Sequence, residues 1–326
     1  MGRRTRCAVA VGVVTLLAVF PLVGVGPYYI RLLNLAGIYV ILTLGLNFCV
    51  GMAGQISYAQ ASFFGIGAYA SALLTLKTGV SFWAALPLSA LVALVFGVLL
   101  GLPSLKVGRY YLAIVTIGFS EIVRLVLLNW KEVTYGAEGV KNIPVPTIGT
   151  FTLNTDLRYY YLVLTIVLFA VFVSIRIVHS RIGRALHAIR MSDLAAEVMG
   201  VNTRYYKILA FALSAFFGGL AGSLIAHYDT YLHANSFNFM ESAKILCMLF
   251  IGGSGSIEGP IIGAVGLTLL PEWLRFLKDY YMAIYGVGVV LLMGVMPSGI
   301  RSLIPQLARF VQRLFTNKQR AVRSEH

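Results

Sequence analysis

The sequence predicts an all-α fold, a polytopic transmembrane helix bundle of about 8–10 spans with Gly-rich broken helices and both termini cytoplasmic. Three observations predict it. Only 12% of the 326 residues are charged against 59% hydrophobic, and mean hydropathy is +0.83, too few charges to cover a soluble domain of this length. Apolar runs of about 18–22 residues recur along most of the chain, the length that crosses a ~30 Å hydrocarbon core, and they are continuous where barrel strands would alternate. The basic residues gather in a few interruptions between runs, which is how a membrane protein carries a net charge of +14. No basic patch interleaved with aromatics lies on a soluble segment, so nucleic acid is not expected as a partner.

Taken in order, the first run covers residues 7–24, behind Arg3, Arg4 and Arg6. It has the basic start of a signal peptide but no convincing small-residue cleavage site, so it reads as a span that stays. Further runs cover residues 28–50, 58–76, 82–102 and 110–128. The stretch 129–157, with Gly136, Gly139, Pro144, Pro146 and Gly149, is either an ordered cap or a simple connector. A sixth run covers 159–178 and a seventh 207–227, separated by the polar stretch 180–206. Two shorter pieces, 242–251 and 260–273, either cross or form a re-entrant pair. A last run covers 280–296, and a basic tail 297–326 follows. The whole chain, 1–326, reads as one transmembrane domain.

Charge sets the orientation. With Arg3, Arg4 and Arg6 inside, alternating spans put Lys106, Arg109, Arg176, the polar stretch and the basic tail inside as well, most of the 26 Lys and Arg. Glu132, Glu138, Asp156, Asp229, Glu241, Glu272 and Asp279 all fall outside. One threading satisfies the positive-inside rule, and the span number is even whether or not the two short pieces cross.

Two glycine-rich breaks interrupt the runs. The first holds Gly51, Gly54, Gln55 and Ser57 and leads into Gln60; the second holds Gly252, Gly253, Ser254 and Gly255. Unwound backbone at membrane depth is tolerated where it lines a cavity or is buried in protein, and broken helices present N–H and C=O groups to polar solutes. Gly54, Gln55, Ser57, Gln60, Gly252, Gly253, Ser254 and Gly255 are therefore candidates for lining a translocation path. The alternative is an ordinary turn with tight helix packing. Elsewhere, Gly97 and Gly101, the Ser214, Gly218 and Gly222 stripe, and Gly259 and Gly263 repeat at i,i+4, a spacing that lets helix backbones approach closely.

Within the runs, Glu121 and Arg124 share a helix face at i,i+3 and can pair. No chain of acids or histidines runs through the spans as a proton or sodium relay would need. There is no phosphate loop, and the histidines and the three cysteines lack metal-ligand spacing, so neither an enzyme nor a cofactor or metal is expected. The chain cannot hydrolyse ATP by itself.

The polar stretch 180–206 contains a short helical pattern, Asp193 to Gly200. Asp193 near its start and Gly200 past its end suit a helix's two caps, and Ala195 and Ala196 leave a surface narrow enough for a groove. Arg181, Arg184 and Arg190 suit anionic lipid headgroups or acidic partner surfaces. A charged helix held between two spans is expected to be presented to a cytoplasmic motor.

Three stretches, GMAGQISYAQASFFGIGAYASALL (51–74), GRALHAIRMSDLAAEVMGVNTRYYKILAFALSAFFGGLAG (183–222) and GGSGSIEGPIIGAVGLTLLPEWLR (252–275), resemble the inner-membrane permease subunits of branched-chain amino acid ABC importers. The likeness spans most of the chain, and is greatest to the second of the two non-identical permeases such importers use. It implies a multi-pass protein of the bacterial inner membrane that forms part of a translocation path for branched-chain amino acids. Urea, short amides or other amino acids are the alternative solutes, and an ATPase-independent secondary transporter or channel is the rival class. The implied partners are a second homologous permease, two cytoplasmic ATPase subunits, a periplasmic solute-binding protein and membrane lipid. The implied coupling helix is the Asp193–Gly200 segment, with Arg190, Asp193, Ala195, Ala196, Glu197 and Gly200 at the ATPase. It reads D-L-A-A-E-V-M-G here, a departure from the EAA-x₃-G wording of other importers, which puts in question its fit to their groove.

Overall fold

The computed structural model describes residues 26–105, 107–148 and 151–273, together with Pro21. The expected first and last spans, the basic tail and Cys7 lie outside them. Helix α1 (Pro27–Leu46) starts on a proline, whose missing N–H has no partner to lose in a first turn, and continues as a π-helical segment, Asn47–Met52. Then come α2 (Gln60–Thr78), α3 (Phe82–Ser104), α4 (Arg109–Asn129) and the single turn α5 (Lys131–Thr134). A small antiparallel hairpin, β1 (Thr147–Ile148) with β2 (Phe151–Thr152), precedes α6 (Asp156–Val178). The polar stretch folds as α7 (Arg181–Met191) and α8 (Asp193–Val198), and the chain continues through α9 (Thr203–Asp229), α10 (Phe239–Gly252) and α11 (Glu258–Trp273).

Among the described residues, five helical stretches are long and apolar enough to cross a membrane: Pro27–Met52, Phe82–Ser104, Tyr111–Asn129, Asp156–Val178 and Thr203–Asp229. They divide into inner and outer helices, since 83% of the apolar window of α1 is buried and only 22% of that of α6. The exposed faces of α3, α4 and α6 are apolar, with Leu91, Val95, Ile114, Ile122, Phe169 and Phe172 turned outward. That is the surface a bilayer covers, because lipid tails are as apolar as these side chains.

At the centre lies α2, rich in Gly, Ala and Ser and buried along most of its length. Small residues set how close its neighbours come. A Cβ on Gly67 would strike the Gly219 backbone, one on Gly218 would meet Phe63, and one on Gly222 would strike the Phe64 carbonyl. Gly97 of α3 faces Ala215 and Gly101 faces Ile208, both on α9. The i,i+4 small-residue stripes are thus the seams along which α2, α3 and α9 close.

The described residues of the stretch 129–157 form a cap. Val140 and Leu232 exchange two backbone hydrogen bonds (3.0 and 2.9 Å), and Ile143 N–H donates to the Thr230 carbonyl. Trp83 Nε1 donates to Thr147 O, and His227 Nδ1 donates to Pro144 O at 2.7 Å. From this far end the chain 230–238 descends beside α4, where Arg124, paired with Glu121, also donates to Asn235 Oδ1 at 2.8 Å. The Glu121–Arg124 pair therefore ties α4 to the descending segment.

The two short pieces form an unequal hairpin. Glu241, in the first turn of α10, accepts from Tyr39 OH, which lies roughly 18 Å along α1 from Pro27 at 1.5 Å per residue. Glu272, near the end of α11, accepts from Tyr28 OH at the start of α1. Helix α11 thus runs back the length of α1, while α10 occupies only the part nearer the end where α7 and α8 lie. Gly252, Gly259 and Gly263 bring α10 and α11 together, with Gly263 against the Met248 carbonyl. The end that carries α7 and α8 is called the basic end below.

Candidate functional site

At the basic end the two glycine-rich breaks meet. Gly54 takes the left-handed conformation (φ +69°), and across it Gln55 N–H reaches back to Cys49 O at 3.0 Å, a glycine cap widened by the preceding π turn. Gly253 (φ +112°) and Gly255 (φ +83°) let the second break turn away from α10. Asn47, buried in the π segment, joins the two. Its Nδ2 donates to Ser256 O at 2.7 Å and its Oδ1 accepts from Gly255 N–H at 2.8 Å. Gly51 makes room for this approach, because a Cβ there would meet Gly255 N at 2.6 Å.

Arg190 of α7 completes the junction. Its guanidinium donates to the Gly51 carbonyl and lies 3.5 Å from Ser254 Oγ, packed over Gly255. One side chain from the polar stretch thus touches both breaks. The sequence groups Arg190 with the ATPase-facing residues; the structure turns it inward.

The other path candidates lie close by, buried in protein. Ser57 Oγ accepts from Ala59 N–H at the start of α2. Gln60 uses both ends of its amide: Oε1 accepts from Ser214 Oγ (2.7 Å) and Nε2 donates to Leu42 O (3.0 Å), fastening α2 to α9 and α1. Gln55 is buried, and its Nε2 finds no acceptor among the described residues. Gly252 sits against Gly259 within the α10–α11 seam.

The polar stretch is built as two capped helices. Ser180 Oγ accepts from Ile182 N–H to start α7, and Ser192 Oγ accepts from Ala195 N–H to start α8. The cap of α8 is therefore Ser192, whose extended backbone (φ −161°, ψ 120°) aims the hydroxyl into the first turn. Asp193 instead pairs with Lys207 at 2.8 Å, holding α8 to the start of α9. Gly200 (φ +81°) ends the helix as expected, with Val201 N–H donating to Ala196 O.

Of the two alanines, Ala196 is buried and Ala195 exposed beside Glu197. Beside Glu197, α8 and its two flanks present large apolar side chains outward: Met191, Leu194, Val198 and Met199 are 86%, 73%, 80% and 82% exposed. Large side chains this bare, clustered on so short an element, mark an interaction surface. Beside it, Arg181 and Arg184 border a groove of about 530 Å³ with Tyr205 and Tyr206. Sequence reading missed Asn47 and this apolar face. The first was signalled by an amide inside an apolar run, which also holds Asn34; the second had no signal, because so short a helix gives no period.

The chain matches a family model described as branched-chain amino acid transport system / permease component over residues 28–295. It is 38% identical over 298 residues to the Escherichia coli K12 high-affinity branched-chain amino acid transport system permease protein LivM, covering 84% of this chain and 70% of that one. It is 25% identical over 296 residues to the LivH permease of the same organism, covering 82% and 92%, and 27% identical over 272 residues to its ribose import permease RbsC, covering 78% and 77%. No solved structure matches. With the family model covering most of the bundle, including both breaks and the polar stretch between them, this chain is a multi-pass membrane permease and belongs to the permease-component family of branched-chain amino acid transport systems.

Proposed function

We propose that this chain is one of two non-identical permease subunits of an ATP-driven importer that carries branched-chain amino acids inward across the bacterial inner membrane. The observation that carries the reading is the 38% identity to LivM across 84% of the chain. The match to LivH at lower identity supports a second, homologous permease as its neighbour. Two cytoplasmic ATPase subunits and a periplasmic solute-binding protein complete the assembly.

In this reading the basic end faces the cytoplasm, in keeping with Arg181, Arg184 and Arg190 on α7, and both termini lie on that side. Helix α8 is the coupling helix. Leu194, Val198 and Met199 enter a cleft on the ATPase, with Ala195 and Glu197 beside them, while Asp193, Ala196 and Gly200 hold the helix in shape. The departure from the EAA wording is then a matter of surface, since the apolar residues around the alanines do the gripping. The two breaks, with Gln55, Ser57 and Gln60 behind them, close the cytoplasmic end of the translocation path in this conformation. Movement of α7 and α8 carries Arg190 away from Gly51 and Ser254 and lets the breaks part.

The test is reconstitution. The chain, coexpressed with a LivH-like permease, two ATPases and a binding protein from the same source, is expected to yield a complex that takes up leucine, isoleucine and valine into proteoliposomes only with ATP and loaded binding protein. Uptake that persists without ATP, or a complex that accepts urea or acetamide and no branched-chain amino acid, would overturn the reading.

A further inference from the structure

Away from the junction of the breaks lies a cavity of about 500 Å³, within the range of small-molecule sites. It is bounded by α1, α2, the end of α9, the descending segment and the first turns of α10. Tyr39 lies about 12 Å along α1 from Asn47, on the far-end side, so the cavity sits near mid-height of the helix, where transporter sites lie.

Its lining is mixed in chemistry. Leu35, Ile38 and Phe64 form an apolar wall, backed by Phe237, which packs edge-on against Phe64. The lining also holds a compact charge pair. Tyr39 OH donates to Glu241 Oε1 at 2.6 Å, Lys244 Nζ donates to Tyr39 OH at 2.7 Å, and the Lys244 and Glu241 charges are 3.6 Å apart. Asp229, also in the lining, is matched by Arg31 at 3.2 Å. The lining therefore carries charges of both signs, each beside its opposite.

We propose that this cavity is a site for a neutral α-amino acid in its zwitterionic form, on the path through this permease. The solute's carboxylate takes Lys244 and its ammonium takes Glu241, with Tyr39 OH bonded to both. The first turn of α10 reaches the cavity at Met240 and Glu241, and its positive dipole end favours the ionised Glu241 carboxylate that takes the ammonium. The branched side chain lies on Leu35, Ile38 and Phe64. An opposed charge pair suits a solute that carries both charges and no net charge. A purely cationic or anionic solute satisfies one partner and leaves the other facing a like charge. The site rests on the importer reading above, and adds to it a place and a selection rule on this subunit.

The experiment uses the full complex in proteoliposomes, with leucine uptake and a diazirine-bearing leucine analogue delivered by the binding protein. Illumination is expected to label this chain on the peptides holding Leu35 and Ile38 or Phe64. Lys244→Gln and Glu241→Gln are each expected to lower leucine uptake about tenfold or more, and Lys244→Arg to stay within about threefold of wild type. Copurification of all subunits, which a merely structural role would disturb, should be unchanged. Wild-type uptake with labelling elsewhere, or with both glutamine variants within about twofold of wild type, would refute the site and leave the importer reading intact. A wild-type complex that transports no branched-chain amino acid would remove the importer reading, and the site with it.

Discussion

Asn47 shows how much a single buried amide can hold. Both ends of its side chain are bonded to the backbone of the second break, and it lies in a π segment that widens the helix at that point. Asn47→Leu would leave the Gly255 N–H and the Ser256 carbonyl buried without their partner. Each such loss costs about 1–3 kcal/mol, so the purified complex should melt several degrees lower; a melting point equal to wild type would show that the amide holds nothing. Little of this was legible beforehand. An asparagine inside an apolar run signals a polar contact, but its partners are some two hundred residues away, and only the closed fold supplies them. Gln60 was legible as functional or structural and no further, since an amide that lines a path and one that pins three helices look alike in a sequence.

At the scale of elements, the small-residue seams were readable because their physics is local. A stripe at i,i+4 fixes which face of a helix can be approached closely, whatever the partner. Gly222 is the strongest case, since the obstacle to a side chain there is the Phe64 carbonyl and not a movable group. Gly222→Leu should push α9 from α2 and destabilise the subunit by at least the ~1–3 kcal/mol typical of overpacking, seen as reduced yield of monodisperse complex. Helix α8 was half readable. Gly200 gave its end, while the cap at its start is Ser192 and not the expected Asp193; and six residues make less than two turns and give no period from which to assign faces. Ala196 therefore turns inward and Leu194 and Val198 outward, against the expectation that the alanine pair forms the surface. A double variant Leu194→Asp, Val198→Asp should insert and pair normally, yet fail to retain the ATPases on purification. Retention at the wild-type level would mean the docking surface lies elsewhere.

For the whole molecule, the spans follow from hydropathy, whereas turn composition left cap and connector open for the stretch 129–157, and charge gives an orientation that can be tested. Single cysteines test the orientation: Met199→Cys is expected to react with an impermeant maleimide only from the cytoplasmic side and Asn154→Cys only from the periplasmic side. The reverse pattern would invert the threading. What the sequence could not convey is that the breaks, the polar stretch and the cavity form one continuous line. Helix α1 carries Tyr39 at the cavity and Asn47 at the junction; α10 carries Glu241 and Lys244 at one end and enters the second break at the other. Arg190 joins that junction to α7 and α8. A motion of α7 and α8 thus has a direct mechanical route to α1 and α10, through one guanidinium that touches both breaks. Removing it should separate docking from transport. Arg190→Ala is expected to assemble with its ATPases and to hydrolyse ATP, because α8 and its apolar face are untouched. Leucine uptake per ATP should fall about tenfold or more, and stimulation by the binding protein should weaken, since coupling between sites is reciprocal. Arg190→Lys keeps the charge and a donor but loses the fork that spans Gly51 and Ser254, and should recover only part of the coupling. If Arg190→Ala transports with the wild-type stoichiometry, the connection between docking face and path does not pass through this residue.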